Sequence, residues 1–407
     1  MANLTTVKTK AILTLEEVEK IIKQLNHDYE VVDYCLKPYS KGKLGYLASH
    51  LRLSVTIPKN SGKKNLSFFL KVIPYEVPDQ ANYILQKGVF QQEAIFFSEI
   101  LPELKQGYRG IQWVPNCYKI KKDLIVFEDL GEKGYSIRSK LFDKPLVIAA
   151  LSSIARMHGA SLIAEGRIGQ PLNKHFLNQI QETGFLPIGD TKLWFDTGVK
   201  TIVAIANLLN LDSMRIPEAC DQIYFAIRPS AVKSNVISHG DLWSNNLMFS
   251  SDSPPNCVLL DYQLFRYCPL AHDVIQLLYL CTSRSFRNIN EKEMIQHYYN
   301  TLCEVLTENQ PNMEHPSWDE LMQSIEEQRL GAIVTAALFF PTVLMDEQLG
   351  AQIFDDPLVY SQYYFHRRDN IVIENMKKNI QYDYRIKEVV MELAEASLKL
   401  DQLPRPA

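Results

Sequence analysis

The sequence predicts an α+β protein with a strand-rich first part and a larger, mostly helical second part. Residues 30–39 and 46–57 are rich in β-branched and aromatic side chains, with turn residues between the two stretches. Residues 66–73 alternate between two faces, as the residues of a strand do. Further along the chain the apolar residues recur at helical spacing. We therefore predict two domains, residues 1–130 and residues 131–407.

The order of the individual elements narrows this fold class. A helix at about 87–101 ends at Pro102, the apolar strand 124–127 follows, and Asp143 before Pro145 suits the start of a long helix. A β-type island at 235–262 interrupts the second part. The further predicted helices show apolar periodicity and lie near 197–210, 270–282, 291–307, 317–345 and 385–400. Five strands around one helix, then a helical half with a small hairpin, are typical of a bilobal protein-kinase-like fold with a β-rich N-lobe and an α-helical C-lobe.

Composition excludes several classes of protein. The 407 residues carry a net charge of −4, whereas nucleic-acid-binding proteins usually show a basic excess, so we expect no nucleic-acid partner. The seven cysteines are scattered without a C-x-x-C pair, which argues against a disulfide framework or a zinc site and favours a cytoplasmic location. The apolar run 331–345 is shorter than the roughly 20 residues of a bilayer span, so we interpret it as a buried helix and expect no membrane span. The oligomeric state is not predicted.

The strongest chemical signal is the segment 236–249, in which a polar loop separates two apolar strands. Asp241 and Asn246 lie five positions apart in this loop. Phosphoryl transfer to an alcohol needs a carboxylate that orients the hydroxyl and accepts its proton, and an oxygen ligand for Mg²⁺ near the phosphates. The catalytic loop of kinases supplies both at this spacing. The alternative is a hairpin turn that is simply rich in Asp and Asn.

A second carboxylate strengthens this interpretation. Asp261 ends a short apolar strand 15 residues after Asn246, where kinases place their main Mg²⁺ ligand. We therefore predict ATP and Mg²⁺ as cofactors, with Asp241 as the catalytic base and with Asn246 and Asp261 as metal ligands. A strand-terminating aspartate without function is the alternative for Asp261.

The predicted nucleotide contacts lie earlier in the chain. Lys71 interrupts the apolar strand 68–73, where a lysine is unfavourable unless its ammonium meets an anion. We predict that it contacts the ATP phosphates and pairs with Glu93, which shares a helix face with apolar residues. An edge strand for Lys71 and a surface position for Glu93 are the alternatives.

Two connecting segments complete the predicted nucleotide site. The segment that follows the strand 124–127 is interpreted as a hinge, in which backbone groups of Glu128 and Leu130 read an adenine edge. The loop 40–49 contains Gly42 and Gly45 but no G-x-G-x-x-G, so a simple β-turn explains it as well as a phosphate-covering loop does.

These motifs in combination resemble the arthropod ecdysteroid-kinase-like family, also called CHK-kinase-like, which is related to choline kinases and aminoglycoside phosphotransferases. The resemblance spans roughly 15–398 and implies the kinase-like fold, use of ATP and Mg²⁺, and transfer of phosphate to hydroxyls of steroids or other lipophilic compounds. By position it implies the same roles for Lys71, Asp241, Asn246 and Asp261. The segments that carry it are His239-Gly240-Asp241-x-Trp243-x-x-Asn246, Asp261-Tyr262-Gln263, Phe127-Glu128-Asp129-Leu130 and Met157-His158-Gly159-Ala160-Ser161.

The sequence departs from this family at two places. Many members have Asp-Phe-Gln at 261–263, and many have G-x-N-Y where this chain reads Gly45-Tyr46-Leu47-Ala48-Ser49. His158 matches a family position but is interpreted first as a core histidine. Asp273 is expected to brace the catalytic loop through hydrogen bonds, or to be an ordinary carboxylate at a helix N-terminus.

The sequence leaves three functions open. The first is an ATP-dependent kinase for the hydroxyl of a lipophilic acceptor such as an ecdysteroid or a xenobiotic. The second is a choline or ethanolamine kinase, whose cationic substrate needs an aromatic and acidic cage. The third is a catalytically inert nucleotide- or ligand-binding protein of the same fold. Aromatic residues of the second part would line the acceptor pocket or fill the core: Phe339, Phe340, Tyr360, Tyr363, Tyr364 and Phe365.

Overall fold

The computed structural model describes residues 12–25, 30–40, 48–59, 62–76 and 78–406. The chain forms two compact units, the first from residues 1–86 and 115–135 and the second from residues 87–114 and 136–407. The sequence-based boundary after residue 130 was set where strands give way to helices. In the structure, the segment 87–114 instead makes most of its contacts within the helical unit.

The first unit is built on a five-stranded antiparallel sheet with the strand order β1-β2-β3-β5-β4. Helix α1 (Leu15–Lys23) begins with a capping box, in which Thr14 and Glu17 satisfy each other's backbone N–H groups. Its Val18, Ile21 and Ile22 join the inward-facing residues of the sheet in one hydrophobic core. The strands are β1 Asp33–Pro38, β2 Ser49–Lys59, β3 Gly62–Val72, β4 Cys117–Lys121 and β5 Leu124–Glu128. The predicted strands are confirmed, whereas α1 and β4 were not recognised in the sequence.

The rest of the chain is mostly helical, as predicted. The helices are α2 Pro78–Lys87, α3 Val89–Ile95, α4 Leu101–Lys105, α5 Lys144–Ile168, α6 Leu172–His175, α7 Gly189–Leu208, α8 Ile216–Asp221, α9 Ile223–Ala226, α10 Ala271–Cys281, α11 Arg284–Asn309, α12 Trp318–Val343, α13 Glu347–Phe354, α14 Pro357–Ser361, α15 Asp369–Lys378 and α16 Ile380–Leu398. Helix α5 starts at the Asp143 cap and packs along α11, while α10 packs on α12. The α+β class and the kinase-like division into a sheet and a helical part are therefore confirmed.

Two short antiparallel strand pairs lie within the helical unit. Strand β6 (Asn235–Ser238) pairs with β9 (Arg266–Pro269), and β7 (Leu247–Phe249) pairs with β8 (Cys257–Leu259). The β-type island predicted at 235–262 is confirmed, and β9 extends it. All four strands are buried except at a few positions.

Two helices contain long apolar stretches. Residues 331–343 of the apolar run form the C-terminal half of α12, and most of their side chains are buried, as predicted. Helix α5 is long and apolar enough to cross a membrane, but most of its apolar window is buried inside the protein, as in a core helix. The expectation of no membrane span stays a prediction.

Close packing of α5 on α11 depends on Gly159. A Cβ atom at this position would lie 2.5 Å from Cγ1 of Val305, a stiff β-branched side chain of α11. At Gly166, two turns later, the nearest atom would be Cε of Met313 at 3.8 Å, an ordinary contact.

We expect Gly159→Ala to lower the melting temperature and Gly166→Ala to raise it. Alanine adds up to about 1 kcal/mol of helix propensity at either position, but overpacking at position 159 costs about 1–3 kcal/mol. Val305→Ala combined with Gly159→Ala should recover part of the loss. Equal stabilisation by both single substitutions, measured by thermal denaturation, would show that α5 and α11 are not in tight contact here.

Candidate active site

The predicted catalytic loop connects β6 to β7 and brings Asp241 and Asn246 into direct contact. The side-chain nitrogen of Asn246 donates to the main-chain oxygen of Asp241 at 2.8 Å and to its carboxylate Oδ2 at 3.0 Å. A short 3₁₀ turn, Ser244–Asn246, makes this contact possible over five residues. Both side chains are buried. These two bonds use the amide nitrogen of Asn246 and leave its amide oxygen to act as an acceptor or ligand.

Gly240 allows the loop to turn immediately before Asp241. Its φ of 76° lies in the left-handed region that favours glycine. A Cβ atom here would also lie 2.4 Å from the main-chain oxygen of Leu264. Both the backbone angle and the close approach of the 264 segment therefore require glycine.

Asp273 of α10 binds the backbone that leads into the loop. Its carboxylate accepts hydrogen bonds from the N–H groups of His239 at 2.6 Å and Gly240 at 3.0 Å, and from the hydroxyl of Ser238 at 2.6 Å. Asp273 is fully buried. These contacts show that Asp273 braces the loop, as expected from the sequence. They contradict the alternative that it is an ordinary carboxylate at a helix N-terminus.

A second layer of buried polar groups supports Asp273. Nε2 of His158 lies 3.1 Å from Oδ2 of Asp273, and Nδ1 of His158 lies 2.7 Å from the hydroxyl of Tyr298. Burial alone raises the pKa of the Asp273 carboxyl. Hydrogen bonding and electrostatic attraction by His158 outweigh that effect and hold the pKa of Asp273 below its ordinary value. His158 is a buried histidine, as predicted, with both ring nitrogens engaged.

His239 connects the catalytic loop to the segment that carries Asp261. Its Nε2–H donates to the carbonyl of Leu260 at 2.8 Å, while its Nδ1 accepts from the N–H of Asp241 at 3.3 Å. Burial lowers the pKa of this imidazole, which favours the neutral form that these two bonds require. The N–H of Leu260 also donates to the main-chain oxygen of Asn246 at 2.8 Å.

Asp261 follows directly and has a φ of 64°. This left-handed conformation is unusual for a residue other than glycine, although Asp and Asn adopt it more readily than most. The two Leu260 contacts hold the residue before Asp261 beside both Asn246 and His239. The structure therefore brings three predicted site residues, Asp241, Asn246 and Asp261, into one connected segment.

The chemistry of Asn246 and Asp261 fits Mg²⁺. Mg²⁺ prefers oxygen ligands and is usually bound by one or two carboxylates together with substrate phosphates. The amide oxygen of Asn246 and the carboxylate of Asp261 are ligands of that kind. In the described ranges no group of three or more His, Cys, Asp or Glu residues could hold a metal ion, so the metal site stays a prediction.

The predicted lysine and glutamate occupy buried positions in different units. Lys71 lies on β3, between His50 of β2 and Ile125 of β5, and only 5% of its surface is exposed. Glu93 lies on α3 and is 1% exposed. These burials contradict the solvent-facing alternatives for both residues. Their pairing with each other stays a prediction.

The segment after β5 is held by the carboxylates of Glu128 and Asp129, both in the first unit. Glu128 exchanges backbone and side-chain hydrogen bonds with Asn116 and forms an ion pair with Lys133. The carbonyl of Leu130 accepts from the N–H of Tyr135 at 3.1 Å. Adenine recognition by the backbone of Glu128 and Leu130 stays a prediction.

Asp129 was assigned no separate role from the sequence. Its buried carboxylate accepts from the hydroxyls of Tyr39 at 2.7 Å and Ser67 at 2.5 Å and from the N–H of Gly131, and it lies 3.4 Å from Nε of Arg52. Partners on β2, on β3 and directly after β1 fix the turn between Glu128 and Leu130. Gly42 and Gly45 of the predicted phosphate-covering loop lie outside the described residues.

Comparison with known proteins places these observations in a family. The model of the ecdysteroid kinase-like family matches residues 44–310, which is more than half of the chain. The chain belongs to this family. The resemblance inferred from the catalytic-loop motifs is thereby confirmed.

The solved structures that match this chain are distant in sequence. Among them is the ethanolamine kinase of Plasmodium vivax, with 11% identity, a TM-score of 0.38, and coverage of 92% of this chain and 86% of that one. The macrolide 2'-phosphotransferase of Brachybacterium faecium has 10% identity, a TM-score of 0.38 and coverage of 86% and 96%. A microcompartment-associated aminopropanol kinase has 13% identity, a TM-score of 0.39 and coverage of 95% and 99%. Comparison with curated protein sequences gave no match.

We expect Asp273→Asn to lower the free energy of unfolding by about 3–5 kcal/mol, because it removes a buried charge whose partners remain in place. The matched control is Asp319→Asn, which changes an exposed carboxylate in the first turn of α12 and should cost less than about 0.5 kcal/mol. Urea denaturation measures both.

The pH dependence of the Asp273 effect has a defined sign. A carboxylate with a lowered folded-state pKa contributes its full stability above the unfolded value of about 3.9 and loses it as pH falls through the folded value. The difference between wild type and Asp273→Asn should therefore be constant near neutrality and shrink below about pH 4. A difference no larger than that of Asp319→Asn at pH 7 would show that Asp273 is not the brace.

Proposed function

We propose that this protein is an ATP- and Mg²⁺-dependent kinase that transfers the γ-phosphate to a hydroxyl of a lipophilic small molecule, such as an ecdysteroid or a xenobiotic. Membership of the ecdysteroid kinase-like family supports a small-molecule kinase. The observation that carries the proposal is the contact between Asn246 and Asp241, which orients a buried carboxylate through the amide nitrogen of Asn246.

Each residue of this segment has a role in the proposed reaction. Asp241 orients the acceptor hydroxyl and accepts its proton as the oxygen attacks. Bound ATP would supply the γ-phosphoryl group and leave as ADP, and Mg²⁺ would neutralise charge on the phosphates. Asn246 and Asp261 would hold the metal through oxygen ligands, and Lys71 would contact the phosphates. All four residues are present, which supports an active enzyme over an inert binding protein.

An aromatic cluster supports a lipophilic acceptor. Phe185, Trp194 and Phe339 have ring centroids 6.1–6.3 Å apart, and Phe185 stacks nearly parallel to Phe339. Phe339 is only partly buried, so its ring remains accessible. Apolar and aromatic side chains with a few polar groups are typical of small-molecule sites.

Arg266 fixes this cluster beside the catalytic loop. Its Nε lies 2.9 Å from Oε2 of Glu182, whose other oxygen accepts the N–H groups of Gly184 and Phe185. The hydroxyl of Thr183 donates to the carbonyl of Gln263 at 3.3 Å. The same Arg266 guanidinium would lie 3.3 Å from a Cβ atom at position 240. The loop before Phe185 is therefore attached to the segment that contacts Gly240.

The charges around the cluster disfavour a choline or ethanolamine acceptor. Nζ of Lys87 and Cζ of Arg368 lie 5.8 Å and 5.5 Å from the Trp194 ring centroid, and Cζ of Arg266 lies 5.8 Å from that of Phe185. A quaternary ammonium ligand uses such aromatic faces for cation–π contacts. Here the protein's own cations already occupy these faces, and Glu182 is engaged by Arg266.

The proposal extends to location and partners. The seven cysteines are free thiols, which supports a reducing compartment and hence the cytoplasm. The proposed partner is a small-molecule acceptor, without nucleic acid.

Asp241→Asn should reduce kcat by roughly 10²–10⁴-fold while leaving the Kd for ATP nearly unchanged, since a positioned base contributes about that much. Asp252→Asn, which alters an exposed residue of the turn after β7, is the control and should retain the wild-type rate. Steady-state phosphate transfer and ATP titration measure the two quantities. Turnover by Asp241→Asn within about threefold of wild type, far below the expected contribution, would exclude it as the base.

The acceptor class can be tested by competition. We expect kcat/KM for 20-hydroxyecdysone or another lipophilic alcohol to exceed that for choline. Phe339→Ala should lower kcat/KM for the lipophilic acceptor by about tenfold or more, because a buried aromatic contact contributes about 1.5–3 kcal/mol, with an unchanged KM for ATP. Phe225→Ala, at a ring that is 49% exposed, is the control. Preference for choline over every lipophilic alcohol would establish the choline-kinase alternative.

A further inference from the structure

Gln276 of α10 contacts the catalytic loop on both sides of Asp241. Its Oε1 accepts the N–H of Leu242 at 3.2 Å, and its Nε2 donates to the carbonyl of Gly240 at 3.3 Å. The side chain lies one helical turn after Asp273 and is 1% exposed. Burying an amide is unfavourable unless its polar atoms are hydrogen-bonded. A methionine would fill the same volume, so the amide is needed for its bonds and not for packing.

The two bonds act on the two peptide planes that flank the Cα atom of Asp241. The carbonyl of Gly240 belongs to the plane before Asp241, and the N–H of Leu242 belongs to the plane after it. Each peptide unit is rigid, so the orientations of these two planes determine φ and ψ of Asp241. Fixing both planes with one buried amide fixes the direction in which the Asp241 side chain leaves the backbone.

The contacts of Gln276 differ from those of Asp273. Asp273 binds the N–H groups of His239 and Gly240, which lie before the base. Gln276 spans the base itself. Removing Asp273 should therefore weaken the whole approach to the loop, whereas removing the amide of Gln276 should loosen the two planes around Asp241.

We propose that Gln276 is a positioning residue for Asp241, which sets the backbone angles of the base through a two-point clamp on residues 240 and 242. The inference rests on the proposed function, in which Asp241 is the base. A displacement of about 1 Å at a reacting group can lower a rate by about 10²-fold, so a clamp of this kind affects turnover more than binding.

The test compares Gln276→Met with wild type by amide hydrogen exchange and by steady-state kinetics. We expect exchange at the Leu242 amide to become at least about tenfold faster, as for the loss of one buried hydrogen bond, and kcat to fall by about 10- to 100-fold with KM for ATP unchanged. Gln276→Asn keeps the amide but is one methylene too short to span both planes, and it should behave in the same way.

The control is Gln328→Met, which removes another glutamine that is 1% exposed but whose amide contacts His272. Its Leu242 exchange should match wild type, which separates the clamp from a general loss of stability. Unchanged Leu242 exchange in both Gln276 variants would overturn the clamp. Faster exchange with an unchanged kcat would overturn the positioning role and leave the proposed function standing. An inactive wild-type protein would overturn both.

Discussion

The active segment depends on side chains that satisfy a buried backbone outside regular secondary structure. Residues 240–242 are buried, and their polar backbone groups need partners that no strand or helix supplies. Asp273 accepts a hydrogen bond from the N–H of Gly240. Gln276 donates to the carbonyl of Gly240 and accepts from the N–H of Leu242. The N–H of Asp241 donates to His239, and the carbonyl of Asp241 accepts from the side chain of Asn246. The backbone conformation around Asp241 is thus determined by side chains of the surrounding elements, chiefly α10.

The contacts of Asp273 depend in turn on the close packing of helices around α5. Asp273 keeps its negative charge in a buried position because His158 of α5 donates to it, and His158 in turn contacts Tyr298 of α11. Tyr298 reaches His158 because α11 approaches α5 closely, and that approach requires a glycine at position 159, beside His158. The packing of α5 on α11 and the negative charge of Asp273 therefore depend on the same contacts. A single added methyl group would act on both.

The sequence predicted the parts of this site that are local in the chain. The Asp241–Asn246 contact spans five residues, and Asp261 follows a strand that pairs within the same island, so spacing was sufficient to identify them. Gln276, Glu182 and Asp129 were not identified, because their partners lie 34 to 90 positions away and a buried polar side chain has no signature in one sequence. Strand and helix patterning likewise indicated the fold class. It did not indicate that residues 87–114 belong with the helical unit, which depends on long-range contacts.

The contacts that hold the backbone around Asp241 differ in kind from those of the aromatic cluster. The side chains that hold the backbone around Asp241 are buried and polar. The aromatic cluster instead consists of side chains on α7, α12 and the loop before α7, attached through the Glu182–Arg266 ion pair. Its rings can change without altering any hydrogen bond to residues 240–242. The hydrogen bonds that orient the backbone around Asp241 and the aromatic cluster are thus built from different side chains, with Arg266 next to both.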